Sequence, residues 1–180
     1  YLKKLKSIIV VTSDKCYENK ERRRGLIETD NLGGDDPYSG SKAACEIIVN
    51  SYSKSFFKNV GIASARSGNV IGGGDKGKDR LIPDIIKSLE NNTKLIIRNP
   101  KSTRPWQHVF ETLNGYIILA ENLSLNKKKY EGAWNFGPSE KQKSVHYVIN
   151  NFYKTWGAEL NYKLEKTDRF KEKKKLSLNS

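Results

Sequence analysis

Short apolar runs alternate along the chain with longer stretches that carry apolar residues on one helical face. "SIIVVTSDK" begins with an unbroken apolar run and ends in hydroxyls and charges, the pattern of a parallel strand covered on both faces. "DPYSGSKAACEIIVNSYSKSFF" predicts a helix: Asp36 suits the cap, Pro37 the first turn, and Ala44, Ile47, Ile48, Tyr52 and Phe56 form an apolar face. "VGIASAR" predicts a second buried strand, followed by the loop "SGNVIGGGDKGKD". "RLIPDIIKSLENN" reads as a helix opening near Pro83 and closing at the Asn pair, with "KLIIR" a short strand behind it. "QHVFETLNGYIILAENL" is an amphipathic helix that tolerates Gly115, and "GAWNFGP" is a strand stopped by Gly137 and Pro138. "SVHYVINNFYKTWG" is capped by Ser144 and stopped by Gly157. This alternation predicts an α/β fold with a parallel sheet and no internal repeat.

A chain of 180 residues is about one domain's worth. The apolar fraction of 36% and mean hydropathy of -0.70 are low, but the periodic clustering implies a folded body with lysine-rich surfaces. The first residue is Tyr1, there is no methionine, and the first element is already a strand, so the chain reads as a piece of a longer protein. Cys16 and Cys45, without a signal peptide or a membrane-spanning stretch, point to free thiols in the cytoplasm and to no membrane partner. Net charge +13 favours anionic partners. The runs Lys127, Lys128, Lys129 and Lys171, Lys173, Lys174, Lys175 read as a solvated loop and tail. No aromatic-interleaved basic stripe, zinc spacing or helix-turn-helix pattern supports a nucleic-acid partner.

Ligands of an open parallel sheet sit beyond the carboxyl ends of its strands. Thr12, Ser13, Asp14 and Lys15 occupy one such end, and Arg66, Ser67 and Asn69 another, so both clusters are expected to face one crevice. Tyr38 and Lys42 are four residues apart and share a helical face. A neighbouring ammonium stabilises a phenolate and lets the tyrosine exchange a proton near neutral pH. Y-x-x-x-K alone is common; its weight here comes from its place at a helix start, after a strand ending in hydroxyls and a charge pair.

"VVTSDKCYEN", "DPYSGSKAACE", "ARSGNVIGGGD", "DRLIPDIIKSLEN", "IIRNPKSTRPWQHVFETLNGYI" and "WNFGP" together resemble the NAD-dependent epimerase/dehydratase family of extended short-chain dehydrogenases/reductases, in its CDP-glucose 4,6-dehydratase branch. The resemblance runs from about Ser7 to Trp156, and residues 69–114 are its most branch-specific part. It implies the C-terminal part of a Rossmann-like doubly wound parallel sheet plus a smaller mixed α/β substrate-binding domain. Residues 1–72 are then the second half of the NAD-binding domain, with the catalytic residues. Residues 73–180 are mainly sugar-nucleotide-binding, with helix 107–123 and strand 132–137 returning to the Rossmann-like part. The family's N-terminal glycine-rich pyrophosphate turn has no counterpart. "IGGGDKG" has the wrong spacing and no helix directly behind it, and is expected to be a flexible substrate-side loop.

The resemblance implies dehydration of CDP-glucose to CDP-4-keto-6-deoxyglucose through tightly bound NAD, in deoxysugar and O-antigen biosynthesis. Tyr38 takes the proton of the 4-hydroxyl, Lys42 lowers its pKa and holds the nicotinamide ribose, and Ser13 orients the hydroxyl. Asp14 is favoured as the acid and Lys15 as the base of the elimination, with the reverse open; burial is expected to push both toward their neutral forms. The related dTDP-sugar enzymes carry Glu at the position of Lys15. Thr12, Tyr38, Lys42 and Arg66 are the implied cofactor contacts. Arg80, Arg98 and Arg104, with Asn69 and His108, are the implied contacts to the sugar nucleotide, because a guanidinium fork suits phosphate. Trp106 and His146 read as structural, and the two histidines as too far apart for a metal site. A homo-oligomer through helix 37–56 is implied for the full-length enzyme. Two other readings stand beside this one: an inert sugar-nucleotide-binding fragment, and another NAD-dependent sugar-nucleotide epimerase or reductase.

Overall fold

The computed structural model describes residues 4–21, 24–139, 142–165 and 175–180. In chain order its elements are β1 (Ser7–Val11), a 3-10 turn (Asp14–Cys16), α1 (Pro37–Phe56), β2 (Gly61–Ser67), β3 (Asn69–Ile71), α2 (Leu81–Glu90) and β4 (Leu95–Ile97). They continue with β5 (Thr103–Arg104), β6 (Trp106–His108), α3 (Val109–Leu125), α4 (Lys127–Tyr130), β7 (Gly132–Phe136), β8 (Lys143–Ser144), α5 (Val145–Trp156) and β9 (Tyr162–Leu164).

The main sheet is parallel in the order β1-β2-β7, with Val11 opposite Ala65 and Ser67 opposite Phe136. Its centre, β2, is buried along its whole length, as its unbroken small and apolar run predicts. Alternation along β2 gives each helix its own face. Ser64 and Arg66 point at Glu46 of α1, whereas Ala63 packs with Leu119 and Leu123 of α3. A second core gathers Ile85 of α2, Leu95 and Ile97 of β4, and Ile149 and Tyr153 of α5. The Tyr153 hydroxyl sits 2.8 Å from the hydroxyl of Ser88 there, so its polar tip is satisfied.

The caps act as their chemistry predicts. Asp36 accepts from the Ser39 amide at 3.0 Å with Pro37 in the first turn, Ser144 accepts from the Tyr147 amide at 3.1 Å, and Gly157 closes α5 at φ 78°.

Four expectations are corrected. The apolar face of α1 is not its buried face: Ile47, Ile48, Tyr52 and Phe56 are exposed, while Ser39, Ala43 and Glu46 are buried. The strand beneath α1 presents Ser64 and Arg66 beside Ile62, and the polar pair holds Glu46 on the buried side of the helix. Helix α3 starts at Val109 and not at residue 107, because the His108 ring nitrogen accepts from the Phe110 amide at 3.2 Å, and Gln107 and His108 belong to β6. The expected loop after β2 holds β3, paired in parallel with β6. Lys127 is not simply solvated, since its ammonium donates to the carbonyls of Phe57 and Lys58, each at 2.8 Å. Lys171, Lys173 and Lys174 lie outside the described residues. No helix among the described residues is long and apolar enough to cross a membrane.

Candidate active site

Past Val11 the chain leaves the sheet and turns. Ser13 caps the 3-10 turn: its hydroxyl accepts from the Lys15 amide at 3.2 Å and donates to Asp14 Oδ1 at 3.0 Å. Asp14 is only 4% exposed, and its Oδ2 has no hydrogen-bond partner among the described residues. Burial pushes its carboxyl up to about 6, against the opposing pull of the Ser13 hydrogen bond and the charges of Lys15 and Arg104. The β2 end is moulded around that carboxyl. A Cβ on Gly68 would lie 2.4 Å from Pro105 Cγ and 3.1 Å from Asp14 Oδ2. Asp14 is buried as expected, but Lys15 is exposed and not, as expected, buried with it.

The start of α1 packs against this turn, and the loop before it is tight, since a Cβ on Gly34 would fall 2.3 Å from Ser39 Cβ. Hydrogen bonds from Ser39 hold the Asp36 carboxyl below its usual range, and the Lys15 charge adds to this, which places Lys15 beside the helix start. Tyr38 is 52% exposed, and the Lys42 ammonium lies 5.7 Å from its ring centroid. Tyr38 is thus accessible and Lys42 half-buried at the start of α1, beside the Asp14–Cys16 turn.

Thr12 and Arg66 do not fit as cofactor contacts. Thr12 is buried and donates its hydroxyl to Glu46 Oε1. Arg66 is 4% exposed, donating to Glu46 Oε2 at 2.6 Å, to the Tyr17 hydroxyl at 2.8 Å and to the Glu28 carbonyl at 3.1 Å. Ser64 donates to the same Glu46 oxygen at 2.7 Å. Burial alone would raise the Glu46 carboxyl; the bonds from Arg66, Thr12 and Ser64 outweigh it and hold the group below its usual value. The Tyr17 hydroxyl donates onward to Asn135 Oδ1 at 2.7 Å.

Arg104 is buried and close enough to Asp14 for its charge to act there, with Nη1 on the Thr103 carbonyl at 2.9 Å. Arg80 and Arg98 lie in exposed ion pairs, with Asp75 at 3.0 Å and Asp79 at 2.9 Å. Asn69 stands opposite Trp106, and His108 opposite Ile71, across the β3–β6 pair. Trp106 donates its ring N–H to the Lys143 carbonyl at 3.1 Å, a packing role. Sequence reasoning passed over Glu46, Tyr17 and Asn135. The signal for the first was present: Tyr38, Lys42 and Glu46 recur every four residues, so one helical face carries all three.

Residues 2–137 match the model of the NAD dependent epimerase/dehydratase family. A CDP-glucose 4,6-dehydratase of Salmonella typhimurium is 47% identical over 169 residues, covering 89% of this chain and 47% of that protein. Among solved structures, a UDP-N-acetylglucosamine 4-epimerase of Methanobrevibacter ruminantium in complex with UDP-N-acetylmuramic acid superimposes with TM-score 0.80 at 21% identity, covering 97% of this chain and 54% of the other. A dTDP-glucose 4,6-dehydratase of Bacillus anthracis in complex with NAD gives TM-score 0.79 at 20% identity, covering 96% and 52%. Such distant structures establish the Rossmann-like fold, and the chain spans about half the length of the relatives it matches. With a parallel α/β sheet, a hydroxyl and carboxyl at the end of β1, and the Tyr38/Lys42 pair at the start of α1, this chain belongs to the NAD-dependent epimerase/dehydratase family.

Proposed function

We propose that this chain carries the proton-handling and sugar-nucleotide-binding part of an NAD-dependent 4,6-dehydratase that converts CDP-glucose to CDP-4-keto-6-deoxyglucose in cytoplasmic deoxysugar biosynthesis. The observation that carries the reading is Asp14. Its sealed carboxyl, pushed up to about 6, sits at a strand terminus against the helix that presents Tyr38 and Lys42. The relative at 47% identity points to CDP-glucose as the substrate.

Tyr38 and Lys42 would hold NAD, which would supply a hydride acceptor and later a donor. Tyr38, as the phenolate, takes the proton of the sugar 4-hydroxyl and becomes the phenol, with the Lys42 ammonium beside it to stabilise the negative charge. Ser13 donates a hydrogen bond within the site and holds Asp14 in place. Burial raises the Asp14 carboxyl to about 6, toward the protonated form that feeds a proton to the departing 6-hydroxyl, which leaves as water. Lys15, as the neutral amine, takes the proton from carbon 5, acidified by the neighbouring ketone, and becomes the ammonium. Arg104, buried beside the site, and Arg80, Arg98, Asn69 and His108 as further contacts receive the diphosphate and cytosine; the two exposed arginines exchange carboxylate partners for phosphate. Residues 1–72 act as the second half of the cofactor domain and residues 73–180 mainly as the substrate domain. The exposed apolar face of α1 fits a helix-to-helix contact in a homo-oligomer.

The test is product analysis with the intact enzyme and CDP-glucose. A 4-keto-6-deoxy product supports the reading, and a product that keeps its 6-hydroxyl, as an epimerase gives, refutes it. Tyr38→Phe should abolish reduction of bound NAD, and undiminished reduction removes Tyr38 from the first step.

A further inference from the structure

Helix α1 has no large apolar side chain among its fully buried residues. Its buried residues are Ser39, Ala43 and Glu46, and the facing positions of β2 are Ser64 and Arg66. Interlocking apolar side chains normally set how far a helix is turned about its own axis. Along this seam they are absent from the buried residues of the helix, and polar bonds take their place. The Glu46 carboxylate accepts from Thr12 on one oxygen, and from Ser64 at 2.7 Å and Arg66 at 2.6 Å on the other. Its partners are two residues of β2 and the residue just past the end of β1, so the carboxylate is held along and across the end of the sheet.

Glu46 lies one turn beyond Lys42 and two beyond Tyr38 on the same face. Turning the helix therefore moves all three together. At a side-chain radius of about 6 Å, a rotation of about 10° shifts the Tyr38 side chain by about 1 Å. Arg66 also has a second arm. Its Nη1 donates to the Tyr17 hydroxyl at 2.8 Å, Tyr17 directly follows the Asp14–Cys16 turn, and Tyr17 is anchored to Asn135 of β7 at 2.7 Å. One guanidinium thus grips both the helix that bears Tyr38 and Lys42 and the turn that bears Asp14.

We infer that Arg66 is a positioning residue: through Glu46 and Tyr17 it sets the separation between the Tyr38/Lys42 face of α1 and the Asp14 turn. A buried ion pair adds little net stability over an apolar substitute, but it singles out one arrangement of the elements it joins. The planar fork of arginine suits two simultaneous partners better than a lysine point charge. The kinetic consequence rests on the dehydratase reading; the geometric one does not.

The experiment compares Tyr17→Phe, Glu46→Gln and the double variant in the intact enzyme, with unfolding measured in parallel so that rates refer to folded protein. Tyr17→Phe keeps the ring and its packing and deletes the hydroxyl's bonds to Arg66 and Asn135, so it remains informative if Glu46→Gln does not fold. Each single variant is expected to lower kcat by about 10-fold to 10²-fold with KM nearly unchanged, the loss that a displacement near 1 Å produces. The double variant should lose less than the product of the single losses, because both act through Arg66. Unchanged kcat per folded enzyme, or losses that multiply, overturns the inference. If the wild-type enzyme dehydrates no sugar nucleotide, the dehydratase reading fails by itself. The pin is then judged from crystal structures of the variants: a shifted Tyr38 supports it, and an unmoved Tyr38 overturns it.

Discussion

Replacing Asp14 by Asn separates the cost of burying a carboxylate from the role of that carboxylate. The change keeps the size of the side chain and an oxygen at Oδ1 to accept the 3.0 Å bond from Ser13, and it removes the ionisation. In the folded protein the carboxyl is raised from its ordinary 3.8 to about 6, with burial as the leading cause. A raised carboxyl favours the folded state while protonated, so its contribution is fully present below 3.8 and is lost as pH climbs through about 6. At about 1.4 kcal/mol per pH unit, the ionised form costs about 3 kcal/mol of folding stability at pH 7 and above. Asn carries no such cost. The stability of Asp14→Asn minus that of wild type should therefore rise by about 2.5 kcal/mol between about pH 4 and pH 8, while turnover falls by about 10²-fold or more. Urea unfolding followed by tryptophan fluorescence across that range reads the first number, and product formation reads the second. Burying the new amide shifts both ends of the range equally, so the pH dependence is the quantity that decides. A stability difference flat with pH would show that Asp14 is not a strained carboxylate and would refute the reasoning.

Lys15→Ala should stop dehydration but leave oxidation at carbon 4, so bound nicotinamide accumulates in its reduced form on mixing with substrate; normal turnover would exclude Lys15 as the base. Gly68→Ala places a methyl 2.4 Å from Pro105 Cγ and 3.1 Å from the Asp14 carboxyl. It should cost about 1–3 kcal/mol and depress activity, measured by thermal unfolding and turnover. The Cys16 thiol is fully buried and pushed up to about 12, whereas Cys45 is half-buried on α1. Alkylation of the folded enzyme followed by peptide mass spectrometry should modify Cys45 and spare Cys16, because only an accessible thiolate reacts; labelling of Cys16 at a comparable rate would contradict the packing around the turn.

Local chemistry was legible without coordinates. The apolar run before Thr12, the Asp36–Pro37 helix start, the Ser144 cap and the Gly157 stop each depend on neighbours a few residues away, and each appears where the chain's own pattern places it. The same locality placed Ser13, Asp14 and Lys15 at a strand terminus and set Tyr38 and Lys42 on one helical face. Periodicity identified an apolar stripe on α1 but could not tell which surface would cover it; the sheet, lined there by Ser64 and Arg66, accepts the opposite side of the helix. Arg66 looked like a cofactor contact because it ends a strand, and only the folded chain brings it to Glu46, 20 residues away, and to Tyr17, 49 residues away. The Tyr17–Asn135 bond spans 118 residues. The exposure of Lys15 and the sealing of Asp14, adjacent in sequence, were likewise settled by packing. A hydrogen bond or a burial depends on what arrives from elsewhere in the chain, and no local pattern encodes that arrival.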